Sequence, residues 1–332
     1  VINMNTFKKV GLTALGTSLI ATSAFAGAVT VTGSAGITLS NESNQDKGNS
    51  FSMTDQVVFA GSGELDNGMN ISLSLQLDGN IMDDRSVTIA TPDMGTLVFA
   101  GHGGSSAMSA VDDVMPTAYG ESWDILGSTA QTTVGRASRE NAIGGYATDN
   151  SFFYTAPEMV EGLAVKASYV PSGTARPDGS VSFNLEYTGV EGLTVGYAED
   201  DNGLAGTSKL ENDTAYVKYA FGSFTVGMQE SQQEQSGATA SDDEFSAMGI
   251  TYQVSDDLTI GYTSSERDFG DKTQDQEASN FSISYTTGGV TIAAAIAEVD
   301  NVGGSTAADD DVDGFAVDRS EERRVGKECR SR

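Results

Sequence analysis

From residue 28 onward, apolar and polar positions alternate with a period of two. Val29, Val31, Ala35, Ile37 and Leu39 alternate with Thr30, Thr32, Ser34, Thr38 and Ser40. Met69, Ile71, Leu73, Leu75 and Leu77 do the same with Asn70, Ser72, Ser74, Gln76 and Asp78. Val181, Phe183, Leu185 and Tyr187 repeat the pattern with Ser182, Asn184 and Glu186. On an extended strand this gives one apolar and one polar face. The same segments carry no 3.6-residue stripe, so no amphipathic helix is expected. The pattern predicts fifteen strands, at 28–40, 52–65, 69–78, 85–91, 95–101, 147–156, 163–170, 180–187, 193–199, 213–221, 224–231, 244–253, 258–265, 278–286 and 290–299. A sixteenth begins at 314–317. Strand 15 alternates poorly, with Ala293 to Ala295 and Ala297.

The connections alternate too. Short turns lie at Asp66-Asn67-Gly68, Pro92-Asp93-Met94, Gly222-Ser223, 254–257 and 287–289, and longer polar segments at 41–51, 200–212, 232–243, 266–277 and 300–311. Short turns on one side and long loops on the other predict an up-and-down antiparallel sheet, and an even strand number lets it close with both termini on one side. The aromatic residues indicate what the apolar face meets. Tyr154, Tyr187, Phe221, Tyr252 and Tyr285 end the downward strands, and Tyr169, Tyr197, Met228 and Tyr262 lie near the ends of the upward ones. Aromatic side chains at both edges of an aliphatic band match the interfacial girdles of a transmembrane β-barrel, whose strands need roughly 9–11 residues to cross. A soluble sandwich has no reason to sort tyrosine by height.

Both ends break the pattern. Met4 reads as the start, with Val1-Ile2-Asn3 as upstream sequence. Lys8 and Lys9, the apolar run Val10 to Ala21 and the Ala24-Phe25-Ala26 site read as a secretory signal peptide over 1–26. Residues 319–332, RSEERRVGKECRSR, are basic after an acidic body and resemble the translation of a short-read sequencing adapter. The native barrel is therefore expected over 27–318, with its last strand cut short and the tail either irregular or paired with strand 1 without proper alternation. An independently sequenced genomic copy is expected to diverge near residue 319 and continue as an alternating strand. The whole chain has 18 basic and 47 acidic residues, a net charge of −29. Without the leader's two lysines and the tail's six basic and three acidic residues, 10 and 44 remain, a net charge of −34. Such a chain cannot neutralise a run of phosphates, which excludes nucleic acid as a partner. One His and one Cys, the latter Cys329 in the tail, exclude a zinc site built from several His and Cys and leave 27–318 without any disulfide.

Together with the strand count and the loop alternation, one segment carries a family resemblance. Phe99-Ala100-Gly101-His102-Gly103-Gly104-Ser105-Ser106-Ala107-Met108-Ser109-Ala110-Val111-Asp112-Asp113-Val114-Met115-Pro116-Thr117 follows strand 5 and opens a stretch from about 102 to 146 without alternation. This segment resembles the constriction loop of Gram-negative general porins of the alphaproteobacterial branch. The resemblance implies a sixteen-strand outer-membrane barrel, a homotrimer in outer-membrane lipid, and passive passage of small hydrophilic solutes. It also implies a loop folded into the lumen, with acidic residues facing basic ones on the wall. Asp112, Asp113, Glu121 and Asp124 fit the loop, and Arg136, Arg139, Lys166, Lys218 and the inward His102 fit the wall. Arg85 sits at the rim of strand 4 on the outward parity. In this family the last strand ends in an aromatic residue, which is missing here.

Two other motifs carry less. Gly101-His102-Gly103-Gly104 is similar to an esterase oxyanion segment, but no G-x-S-x-G accompanies it. Asp309, Asp311 and Asp313 match the first half of a calcium loop, although the twelfth position is Ser320 and no helices flank it. Calcium is thus the one cofactor to weigh. The sequence is best read as a cation-preferring diffusion channel and not an enzyme. The alternatives are a substrate-specific outer-membrane channel and a secreted β-rich adhesin.

Overall fold

The computed structural model describes residues 29–43, 50–78, 81–123, 125, 149–173, 178–203, 209–236, 242–287, 290–304 and 311–325. The leader at 1–26 lies outside them. Sixteen strands follow in chain order: β1 (Thr30–Glu42), β2 (Ser50–Glu64), β3 (Asn70–Asp78), β4 (Ile81–Thr91), β5 (Gly95–His102), β6 (Ser151–Thr155), β7 (Leu163–Val170), β8 (Ser180–Val190), β9 (Leu193–Asp201), β10 (Leu210–Phe221), β11 (Phe224–Gln235), β12 (Asp242–Ser255), β13 (Leu258–Asp268), β14 (Gln276–Thr287), β15 (Val290–Asp300) and β16 (Val312–Val325). Each pairs antiparallel with its neighbours in sequence, and β1 with β16 closes the barrel. Closure satisfies every edge, which a sheet crossing hydrocarbon requires.

The alternation sorts as the sequence expected. Ile37, Phe183, Leu185, Ile283 and Ile296 are exposed on the outer wall. Between them, Ser182, Asn184, Thr214, Asn280 and Ser282 are buried toward the lumen. The aromatic positions of both edges, from Tyr154 to Tyr285 and from Tyr169 to Tyr262, are all exposed. On the turn side, Tyr219, Phe221, Phe224 and Tyr252 make successive ring contacts at 5.6, 5.7 and 4.7 Å. On the loop side the apolar band stops at exposed carboxylates, Glu230, Glu244, Glu266, Glu277 and Glu298. Glu266 and Glu277 are direct cross-strand partners there.

The end of the chain takes the second of its two expected forms: past Val317 the ladder continues to Val325, paired with β1 and without proper alternation. β16 pairs with β1 from Glu42↔Gly314 to Val31↔Val325. The physical reason is that a ladder needs only N–H and C=O groups, which any residue but proline supplies. Unpaired, the edge of β1 would leave those groups unsatisfied in lipid. The side-chain pattern does not follow the backbone. Arg319 is exposed on the parity of Phe315 and Val317, beside Ile37 and Ile292 in register.

Candidate functional site

After β5, Gly103 turns the chain with φ +64°. Ser106 and Ser109 then cap one another: the Ser106 N–H donates to Ser109 Oγ at 2.8 Å, and the Ser109 N–H donates to Ser106 Oγ at 2.9 Å. This pair frames a single 3₁₀ turn at Ser109–Val111. From there the loop lies inside the barrel against one wall. The Ala107 N–H donates to Ser182 Oγ of β8 at 2.9 Å and Ser168 Oγ of β7 at 3.1 Å. Met108, Val111, Val114, Met115 and Trp123 form a dry cluster with Ala198 of β9, Tyr216 of β10, and Phe245 and Ala247 of β12. Further on, Ser122 Oγ meets Ser265 Oγ of β13 at 3.0 Å, and Asn280 of β14 donates to the Gly120 carbonyl at 3.0 Å. Ile125 reaches Ala295 and Ala297 of β15 and Ala316 of β16.

The loop fits because the wall is carved for it. A Cβ at Gly227 would meet Pro116 Cδ at 2.6 Å, one at Gly249 the Pro116 carbonyl oxygen at 2.6 Å, and one at Gly261 the Ala118 nitrogen at 2.8 Å. These glycines stand at lumen-facing positions of β11, β12 and β13. Gly249→Val is therefore expected to lift the Pro116 segment while the strands stay paired. Limited proteolysis from the extracellular side should then cut the loop faster than in the wild type. An unchanged cleavage rate would mean that the wall does not position the loop.

The expected site residues fare differently. Asp112 is half-buried and Asp113 exposed in the loop. Lys218 points inward, and with Asp113, Met115, Thr194 and Thr251 it lines a cavity of about 360 Å³ beneath the loop. Its ammonium also lies 5.6 Å from the Tyr216 ring centre. Lys166 is inward on β7, on the same wall. Both lysines thus stand on the side against which the loop leans. Glu121 does not face the pore: at 3% exposure, its Oε1 accepts the Met115 N–H at 3.0 Å. A buried carboxylate of this kind holds the loop's shape instead of presenting charge. Tyr119, near Asp318, has its phenol pKa raised by burial and by the Asp318 charge. Asp124, Arg136 and Arg139 lie outside the described residues. Asp309 does too, while the Asp311 carboxylate accepts the Asn301 N–H at 3.0 Å and Asp313 is exposed with its backbone bonded to Ser43. Arg85 reaches the Gly101 carbonyl at 3.5 Å, and His102 stands at the loop root, 3.9 Å from Asp83 and from Asp149.

The sequence reading missed the opposite wall. The inward positions of β1 to β4 carry hydroxyls and amides, including Thr38, Thr54, Gln56, Ser72, Gln76 and Thr88. Their signal was the polar half of the alternation itself. The Thr38 hydroxyl donates to the Asp318 carboxylate at 2.9 Å. Asp112 and Asp113 of the loop thus share the barrel with a β1–β4 wall lined mainly by hydroxyls and amides, an arrangement suited to passing hydrated solutes.

A family model described as Gram-negative porin matches residues 11–314. No curated relative matches by sequence. Among solved structures, the anion-selective porin from Comamonas acidovorans superposes with TM-score 0.67 at 13% identity, covering 90% of this chain and 100% of that one. The trimer form of OmpT from Vibrio cholerae gives 0.64 at 14% identity, covering 90% and 100%. A mutant Rh. blastica porin gives 0.66 at 12%, covering 89% and 100%. At these identities the likeness is one of fold.

Proposed function

The chain belongs to the Gram-negative porin family, an outer-membrane channel by fold and family, and from that premise we propose that it is a passive, cation-preferring diffusion pore for small hydrophilic solutes. One observation carries the sign of the preference. At the extracellular mouth Lys209, Lys272 and Arg267 are each paired with a carboxylate. Lys209 lies 2.5 Å from Glu211 and 3.3 Å from Asp201, Lys272 lies 2.7 Å from Asp271, and buried Arg267 donates to Asp243 at 2.8 Å. The hydrogen bonds from Lys209 to Glu211 and then Asp201 raise its pKa, so its charge is held but locally cancelled. The remaining acid sets the field, and a mouth lined by one sign of charge enriches counter-ions. The Comamonas neighbour is described as anion-selective, so this fold is compatible with either sign and the lining must decide. The trimer form of OmpT supports proposing a homotrimer here. The reading as a secreted adhesin is set aside, because the exposed apolar band needs lipid.

Reversal potentials in a KCl gradient across a planar bilayer test this. Cation preference is expected at low salt. It should fade as ionic strength shortens the screening length below ~10 Å. Anion preference at low salt would sink the proposal and make the basic residues of the wall the dominant field.

A further inference from the structure

We propose that His102, Asp83 and Asp84 form a divalent transition-metal site at the extracellular root of the constriction loop. Each offers one donor atom, and these atoms lie within 4.8 Å of one another. His102 Nδ1 is sealed from solvent and has no hydrogen-bond partner among the described residues. That nitrogen lies 3.9 Å from Asp83 Oδ1. An imidazole nitrogen that water cannot reach, beside two carboxylates, is the position an ion would fill. On the other side of the ring, Nε2 faces Asp149 Oδ1 at 3.9 Å. A carboxylate there can accept a hydrogen bond from Nε2–H, which fixes the tautomer with Nδ1 bare for the metal, the usual arrangement of a ligating histidine.

The backbone is built around this cluster. The β4–β5 register shifts between Arg85 and Ser86, so that Arg85 pairs with His102. Gly103 takes φ +64°, and a Cβ there would fall 1.6 Å from Asp84 Oδ1. The absence of a side chain at 103 is what lets the Asp84 carboxylate sit against the loop root. Donors ~2.1 Å from a tetrahedral ion are ~3.4 Å apart. The donors, within 4.8 Å of one another, would have to draw together by about an ångström to reach that spacing. One nitrogen and two carboxylates suit zinc and its neighbours better than calcium or magnesium, which prefer oxygen alone. An ion here would tie the end of β4 to the first residues of the loop.

The test is Zn²⁺ titration by calorimetry of the refolded full chain carrying Cys329→Ser, which removes the thiol competitor. One tight Zn²⁺ per chain is expected, retained in excess Ca²⁺. His102→Ala and Asp84→Asn should weaken it about tenfold or more. Gly103→Ala should weaken it as well while keeping all three donors, because it displaces Asp84. Asp93→Asn, on the opposite rim, should leave it unchanged. Equal Zn²⁺ binding in wild type and His102→Ala, no tight site in the wild type, or displacement by Ca²⁺ would each overturn the proposal. Circular dichroism and heat-resistant migration confirm that each variant is folded.

Discussion

Deleting residues 105–123 is expected to raise single-channel conductance, roughly doubling it or more, since ion flow follows the open cross-section of the narrowest level. The described part of the loop hangs on the wall from β7 to β16 and fills lumen that a sixteen-strand barrel otherwise leaves to water. The barrel should survive the loss, because its ladders are strand-to-strand and none passes through the loop. Stability should fall all the same. Met108, Val111, Met115 and Trp123 are at most 4% exposed, and burial of such side chains contributes about 1.5–3 kcal/mol each. Removing them also wets Ala198, Phe245 and Ala247. Conductance and the unfolding midpoint should therefore move in opposite directions. A deletion that lowers stability but leaves conductance unchanged would show that the narrowest level lies elsewhere.

The strands were legible because lipid and lumen impose opposite chemistry on alternate residues, and the boundaries of the first fifteen strands were recovered within four positions. The exceptions to alternation turn out to carry the information that was overlooked. Strand β15 alternates poorly because Ala293, Ala295 and Ala297 face inward and are buried, the latter two in the cluster of Ile125. Phe245 and Ala247 on β12, and Tyr216 on β10, are inward apolar residues for the same reason. Inward glycines at 227, 249 and 261 mark where Pro116 and Ala118 approach. Apolar or missing side chains on the lumen parity thus trace the path of the loop along the wall. Glu121 was misread because charge in a loop was equated with charge in the pore. Its bond to the Met115 N–H depends on a fold of the loop that local sequence does not encode. Residues 319–325 can pair with β1 without alternating because side-chain pattern governs which face meets lipid, whereas the hydrogen-bond ladder is indifferent to it.

That separation gives the second large effect. Arg319→Val is expected to stabilise the barrel by ~2 kcal/mol in lipid. The estimate lies between the ~0–1 kcal/mol cost of a lipid-facing arginine at the interface and the ~2–4 kcal/mol at the midplane. Arg319 is exposed on the parity of Phe315 and Val317, with Ile37 and Ile292 as its cross-strand neighbours. Ile292 is the third residue of β15, so the site lies in the turn-side half of the apolar band, short of the midplane. Glu321 and Arg323 continue the same parity opposite Ala35 and Gly33. Replacing 319–325 with a segment that is apolar at 319, 321, 323 and 325 should therefore add to the gain of the single change. The backbone partners stay the same in every variant, so any difference reports the outer face alone. Urea unfolding of the chain folded into phospholipid vesicles measures it, with the wild-type sequence as reference. If Arg319→Val and the full replacement both unfold at the wild-type midpoint, the arginine already reaches the headgroups along its own stem, and the tail costs the barrel nothing.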